Sequence, residues 1–371
     1  MYQIYGSENS PYSIKVRSYA RYLGINHKWI VRSASTQAAF SKVAKLPLVP
    51  AVRLPNGNGI QDSTPIMELF DTLPAIDTSG SSTTNTTHPP GDLRFLSELL
   101  EEYGDEWLNK QMFHYRWARP IDQRIVSLRL ASEMLTGGGS ERSSDDSGSG
   151  DEMLMQMSDQ VRDRMSGRGF AVGSNKITAP MLESTFQESM DLLEKHLKDR
   201  NFLFGSRPSF GDFGMGAQVY QALLDPTAGA HLLAHAPRVV EWCTSLLAPS
   251  STLKDTGKWE RWETLATTLT PLLKNHVGRI FLKWSHANSI CIVGKLKECV
   301  VDLPCGTWKN VVGGPQKYQY KSLQVLRSKY AKVRNEKLDK LMAETNCLEV
   351  LSIPSWAVSG EESESERRSK L

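Results

Sequence analysis

The chain has 371 residues, of which 40% are hydrophobic and 23% charged, with a formal net charge of +3. These are the proportions of a folded globular protein of two or three domains, and so small a charge argues neither for nor against a nucleic-acid partner. No apolar run approaches the roughly 18 residues a membrane span needs. The five cysteines, Cys243, Cys291, Cys299, Cys305 and Cys347, lack CxxC or Cys/His spacing, which argues against a metal site and for reduced thiols. Residues 1–6, Met-Tyr-Gln-Ile-Tyr-Gly, show no basic leader before a long apolar core, so the cytoplasm is the expected compartment.

In chain order, residues 2–5 alternate and predict a strand. Ser10 followed by Pro11 is a helix start, with a side-chain cap and then proline where no amide donor is needed. Ile14, Val16, Tyr19, Ala20 and Leu23 continue a helical stripe that Gly24 ends. His27–Val31 is a second strand. The stretch Lys45–Glu68 then predicts an apolar strand, a turn at Asn56-Gly57-Asn58-Gly59, a short strand, and a helix opening at Ser63 or Thr64 with Pro65 at its first position. Pro50 cannot donate to a ladder, so it belongs at a strand start, an edge or a bulge. A cis Val49–Pro50 bond would turn the Val49 amide and carbonyl toward an extended peptide ligand. The Asp62-Ser63 pair would then offer helix N-terminal amides to a carboxylate and a side-chain carboxylate to an ammonium group.

Residues 77–92 are polar and marked by proline, which predicts a linker. From Leu93 the period turns helical through Leu96, Leu99, Leu100, Tyr103, Trp107 and His114, with Phe113 to Trp117 closing one helix. Arg124 to Leu135 continues as helix, and the Gly-, Ser- and Asp-rich stretch 136–151 reads as a disordered insertion. A further helix is expected over 181–198. Ser209 and Asp212 have capping-box spacing at the start of a buried helix, Phe213 to Leu224, and another helix follows at 237–248. Beyond it, helices are expected at Trp259–Leu273 and Val277–Trp284, then a hairpin of Cys299–Leu303 with Thr307–Val312. One long helix through Leu323, Leu326, Tyr330, Val333 and Leu341 comes last. Lys309 to Lys340 carries nine basic and two acidic residues, the pattern of an anion or nucleic-acid face or, more often, of a solvated helix surface. The tail 359–371 is charged, serine-rich and expected to be disordered.

Val49-Pro50, Asp62-Ser63, the Ser10-Pro11 helix start and the element Phe202-Leu203-Phe204-Gly205 with Ser209 and Asp212 together resemble the glutathione S-transferase family, over residues 1 to about 248. The resemblance implies an α/β thioredoxin-like domain at 1–76, followed after the linker by an all-α domain at 93–248. An extension at 249–358, mostly helical with a β-hairpin, lies outside what it covers. It further implies glutathione held by Val49, Pro50, Asp62 and Ser63, with Lys45 toward the glycine carboxylate. Ser10 would donate to the sulfur and favour the thiolate, with Ser7, Tyr12 and Ser13 as nearby substitutes. An electrophilic small molecule would sit against Tyr12, Phe113, His114 and Trp117, with no metal and with a homodimer as the assembly. By residue type alone, Ser10 is equally a plain helix cap, Lys45 a loop lysine, and the aromatic residues core. The rival reading is a non-catalytic scaffold that binds a protein partner through the extension.

Overall fold

The computed structural model describes residues 1–76, 82–84, 87–137, 147–310 and 313–354; the expected tail at 359–371 lies outside them. Strand β1 (Tyr2–Gly6), helix α1 (Pro11–Tyr22) and strand β2 (His27–Val31) form the first half of the N-terminal domain. A short helix α2 (Gln37–Phe40) leads to β3 (Ala51–Arg53), β4 (Gly59–Gln61) and helix α3 (Ser63–Asp71). The sheet order is β2-β1-β3-β4, with β1 parallel to β2 and the other pairs antiparallel. This is the thioredoxin-like arrangement expected from sequence.

Ser10 caps α1, accepting from the Ser13 amide at 3.3 Å. The Val49–Pro50 peptide is cis, and Pro50 sits directly before β3. Helix α3 opens two residues earlier than a proline at its first position would place it. Asp62 takes the cap position and Pro65 is the third helical residue, which is tolerated because the first four helical amides have no intrahelical acceptor.

A short antiparallel pair, β5 (Pro74–Ile76) with β6 (Ser82–Thr84), spans the start of the expected linker. The helical domain begins with α4 (Asp92–Tyr103), which runs through a π-helical segment, Gly104–Leu108, into α5 (Asn109–Ala118). Gly104 lies against the backbone of a later helix, where an added Cβ would fall 2.7 Å from the Gly214 carbonyl carbon. Helix α6 (Pro120–Thr136) ends at Gly137 in the left-handed conformation. Helix α7 spans Ser147–Ser166, so the last five residues of the stretch read as a disordered insertion are helical. Residues 138–146 lie outside the described part.

Helices α8 (Ala179–His196), α9 (Phe210–Leu223), α10 (Pro226–His235) and α11 (Pro237–Ser245) complete the domain. The capping box is present, and buried Asp212 also accepts from the Leu203 amide and the Trp242 indole, each at 2.8 Å. Burial pushes the Asp212 carboxyl up to about 6 despite these donors. Ser209→Ala removes one partner of that box and is expected to cost about 1–2 kcal/mol, read as a lower urea midpoint at unchanged slope.

The extension is continuous with the rest of the fold. After the short helix α12 (Leu253–Thr256), α13 (Trp262–Leu272) passes through a π-helical stretch, Leu273–Leu282, into α14 (Lys283–Val293). The two helices expected here are therefore one. Pro271, inside α13, has no amide to give its own turn, and the wider π-helical turns begin two residues later. The hairpin pairs β7 (Cys299–Leu303) with β8 (Gly306–Asn310), so its loop is Pro304-Cys305 and Gly306 belongs to the strand. The expected long helix is split into α15 (Lys317–Val333) and α16 (Glu336–Glu344), followed by α17 (Leu348–Leu351). Asn335 makes the break by capping α16, accepting from the Leu338 amide at 3.0 Å.

Trp107 joins extension and helical domain, its ring 5.9 Å from Trp284 and 5.4 Å from Trp308. Helix α15 lies along α4, with Phe95 and Tyr330 rings 5.1 Å apart. It also reaches the first domain through the Lys329–Glu68 ion pair at 2.6 Å.

Candidate functional site

A cleft of about 240 Å³ opens where β3, β4 and α3 meet the extension. Val49, Pro50, Asp62 and Ser63 all line it, together with Tyr12 and the rim residues Leu46 and Leu48. Gln61 organises that rim: its side chain donates to the Leu46 and Leu48 carbonyls at 2.8 and 2.6 Å and accepts from the Lys45 and Leu46 amides. Sequence reasoning missed Gln61; its one signal was its place immediately before Asp62. Lys45 contributes its backbone to this loop, while its exposed side chain is not on the cleft wall.

Asp62 holds φ at +87°, a left-handed value rare for any residue but glycine. The strain, typically about 1–3 kcal/mol, is sustained where surrounding structure over-determines the backbone. Its carboxylate is not free, as the sequence had suggested. Tyr318, from the first turn of α15, donates to Asp62 Oδ2 at 2.7 Å and itself lines the cleft. A contact between residues so far apart has no sequence signal.

Beneath the cleft lies a buried charge cluster. Lys15 on α1 is 1% exposed and pairs with Glu101 on α4 and with Asp105 Oδ2, the latter at 2.6 Å. The same ammonium reaches the hydroxyls of Ser63 and Thr64 at 3.4 and 3.3 Å, so it ties the start of α3 to the helical domain. Burial opposes the Lys15 charge, but Asp105 and Glu101 outweigh it and raise the pKa. Burial, reinforced by Glu101, pushes Asp105 up to about 7 against the pull of Lys15. Burial also raises Glu106, with Glu102 adding to it, and lowers Lys110 to about 7.

The hydroxyls near the start of α1 differ in what they can do. Ser7 donates to Glu133 at 2.8 Å, and Tyr12 donates to the Asp105 carbonyl at 2.9 Å. Burial, followed by the nearby Glu106 and Asp105 carboxylates, raises the Tyr12 phenol well above its ordinary value. Ser13 is fully buried. Ser10 is half-buried and uses its oxygen as the helix cap, though it is not among the residues that line the cleft.

The expected co-substrate residues separate. Tyr12 is in this cleft, whereas Phe113, His114 and Trp117 line another of about 590 Å³ between α5 and the loop before α8. Trp117 also packs against Val126 and Val161. Among the described residues, no group of three His, Cys, Asp or Glu side chains is disposed to hold a metal, and no helix is long and apolar enough to cross a membrane.

Fold and cleft define a two-domain protein in which a thioredoxin-like unit is joined to a helical one. The model for the glutathione S-transferase N-terminal domain matches residues 9–73, and the model for the C-terminal domain of the same family matches residues 150–245. With both matched in order, the chain belongs to the glutathione S-transferase family. Similar solved structures include a Tau-class glutathione S-transferase from mango, Mangifera indica, at 16% identity and TM-score 0.36, covering 73% of this chain and 98% of that one. Another, from Rhodospirillum rubrum, has 15% identity and TM-score 0.40 and covers 71% and 97%. A third, from Methylobacterium radiotolerans in complex with glutathione sulfonate, has 16% identity and TM-score 0.34 and covers 70% and 96%. No curated protein matches the chain.

Proposed function

We propose that this protein binds glutathione in the cleft at the start of α3 and presents its sulfur, as thiolate, to an electrophilic small molecule. The observation that carries the reading is the convergence of Val49, Pro50, Asp62 and Ser63 on one cleft. There the helix amides suit the γ-glutamyl carboxylate, and the Asp62 carboxylate suits its ammonium. For the sulfur, Ser10 remains the best-suited donor. The protons of Ser7 and Tyr12 are already committed, and Ser13 is out of reach of solvent. A hydroxyl donor at the positive end of α1 favours thiolate over thiol. The cytoplasm and a homodimer belong to the same proposal, the first supported by five free cysteines and the second by family membership alone.

Calorimetric titration with glutathione, combined with the ultraviolet absorbance of the bound thiolate, tests this reading. Ser10→Ala is expected to leave affinity within about threefold while raising the bound thiol pKa by about one unit, a change worth about 1.4 kcal/mol. Tyr12→Phe should leave that pKa in place. Absence of heat at millimolar glutathione would overturn the proposal. A panel of alkyl halides, peroxides and enones then separates conjugation from the dehalogenase, peroxidase and isomerase chemistries open to the same thiolate.

A further inference from the structure

The second cleft carries chemistry that glutathione binding does not use. On its α5 wall, the His114 imidazole is 3% exposed and bonded at both nitrogens. Nδ1 lies 2.7 Å from Ser174 Oγ, and Nε2 lies 2.9 Å from Glu183 Oε1 on α8. A carboxylate only accepts, so Glu183 fixes the tautomer with hydrogen on Nε2. That leaves the Nδ1 lone pair to accept the Ser174 proton. A hydroxyl facing a lone pair on an imidazole, itself oriented by a carboxylate, is the arrangement that turns a weak nucleophile into a strong one, and it is recognised by geometry whatever the chain order.

The surroundings hold this geometry. Ser174 follows Gly173, whose φ is +78° and where a Cβ would fall 2.6 Å from both Asn310 Oδ1 and Trp308. The Ser174 amide is tied to the Gly169 carbonyl at 2.9 Å, and Thr178 ties the Gly173 carbonyl at 2.6 Å. Arg119 pairs with Glu183 at 2.7 Å, and Glu183 is held below its ordinary value by His114 and Arg119 against the effect of burial. Burial lowers His114 against the pull of Glu183 and so favours the neutral imidazole that a base must present. Ser174 itself is half-buried and lines the cleft. Phe113, Trp117 and Phe170 make the cleft lining aromatic, and Lys176 lines the same cleft.

We propose that Ser174, His114 and Glu183 form a second reactive centre, a serine esterase site that takes small alkyl or aromatic esters. Ser174 Oγ bonds to the ester carbonyl carbon as its proton passes to His114 Nδ1. The bond from that carbon to the alkoxy oxygen breaks, and the alcohol leaves with the proton. Water then bonds to the acyl carbon as its proton passes to His114 Nδ1; the bond from that carbon to Ser174 Oγ breaks, the acid leaves, and His114 returns the proton to Oγ. Ser174 and His114 are the catalytic residues, and Glu183 is a positioning residue.

The test is run without glutathione, on the whole chain, with a fluorophosphonate probe followed by peptide mass mapping and with p-nitrophenyl butyrate as substrate. Wild type is expected to carry the adduct on Ser174 and to release nitrophenol. Ser174→Ala should lose both while keeping its glutathione affinity. His114→Gln should slow labelling at least about 100-fold, the usual worth of a general base. Glu183→Gln should slow it about tenfold and move the pH midpoint of labelling downward, since Arg119 would then act on His114 without its counter-charge. The wild-type adduct needs no variant to fold. No adduct on Ser174, or one that forms equally fast in His114→Gln, overturns the proposal and leaves the three residues as fasteners of the loop.

Discussion

Lys15→Met is expected to lower the unfolding free energy by about 3–5 kcal/mol, the usual result of removing one partner of a buried ion pair. The methionine side chain fills similar space, so packing is nearly kept. What is lost is, among the described residues, the only cation bonded to both Glu101 and Asp105, which are themselves buried. Neither carboxylate can turn to water, so each must take a proton or remain charged in a low dielectric. Lys329, the next cation acting on Glu101, is bonded instead to Glu68 on α3. Lys15→Arg keeps the charge but not the compact ammonium and should recover part of the loss. Urea titration at constant slope checks both variants. A Lys15→Met midpoint equal to wild type would show that the cluster contributes nothing to stability. Because the same ammonium reaches Ser63 and Thr64, glutathione binding should weaken with it.

Asp62→Asn is expected to weaken glutathione about 30- to 100-fold, equivalent to about 2–2.7 kcal/mol at tenfold per 1.4 kcal/mol. Asparagine is among the non-glycine residues that best tolerate positive φ, and it can still accept from Tyr318. The change therefore isolates the charge that would face the ligand's ammonium group. Tyr318→Phe is the companion experiment. Its hydroxyl holds Asp62 Oδ2, leaving Oδ1 for the ligand, so its loss should cost only about threefold, within the range of one exposed hydrogen bond. Calorimetry reads both. Unchanged affinity in Asp62→Asn would remove Asp62 from the site, and unchanged affinity in Tyr318→Phe would make the α15 contact incidental to binding.

The pattern of what was legible follows from these residues. Ser10-Pro11, Asn56-Gly57, and Ser209 with Asp212 each act within three residues of themselves, through caps, positive φ and missing amides. Their local structures were readable because nothing distant is needed to produce them. Two expectations failed where a distant surface intervened. Gly104 fits the backbone of α9, and a π-helical segment interrupts what read as one uniform helix. Asp62 read as free because its partner comes from α15, 256 residues further on. Lys15, between Ile14 and Val16 on α1, drew no reading from sequence, because its partners Glu101 and Asp105, four residues apart, come from the next domain.

By itself, then, the amino-acid order determined the thioredoxin-like unit, the helical unit after it, and the positions of the cis-proline and carboxylate–hydroxyl pairs, since backbone chemistry and short-range periodicity suffice for these. Only the tertiary structure decided that the extension completes the cleft at the start of α3, that a lysine is buried beneath it, and that Ser174, His114 and Glu183 meet. Those groupings exist because packing brings separated segments within hydrogen-bond reach, and no preference acting over a few residues encodes which segments will meet.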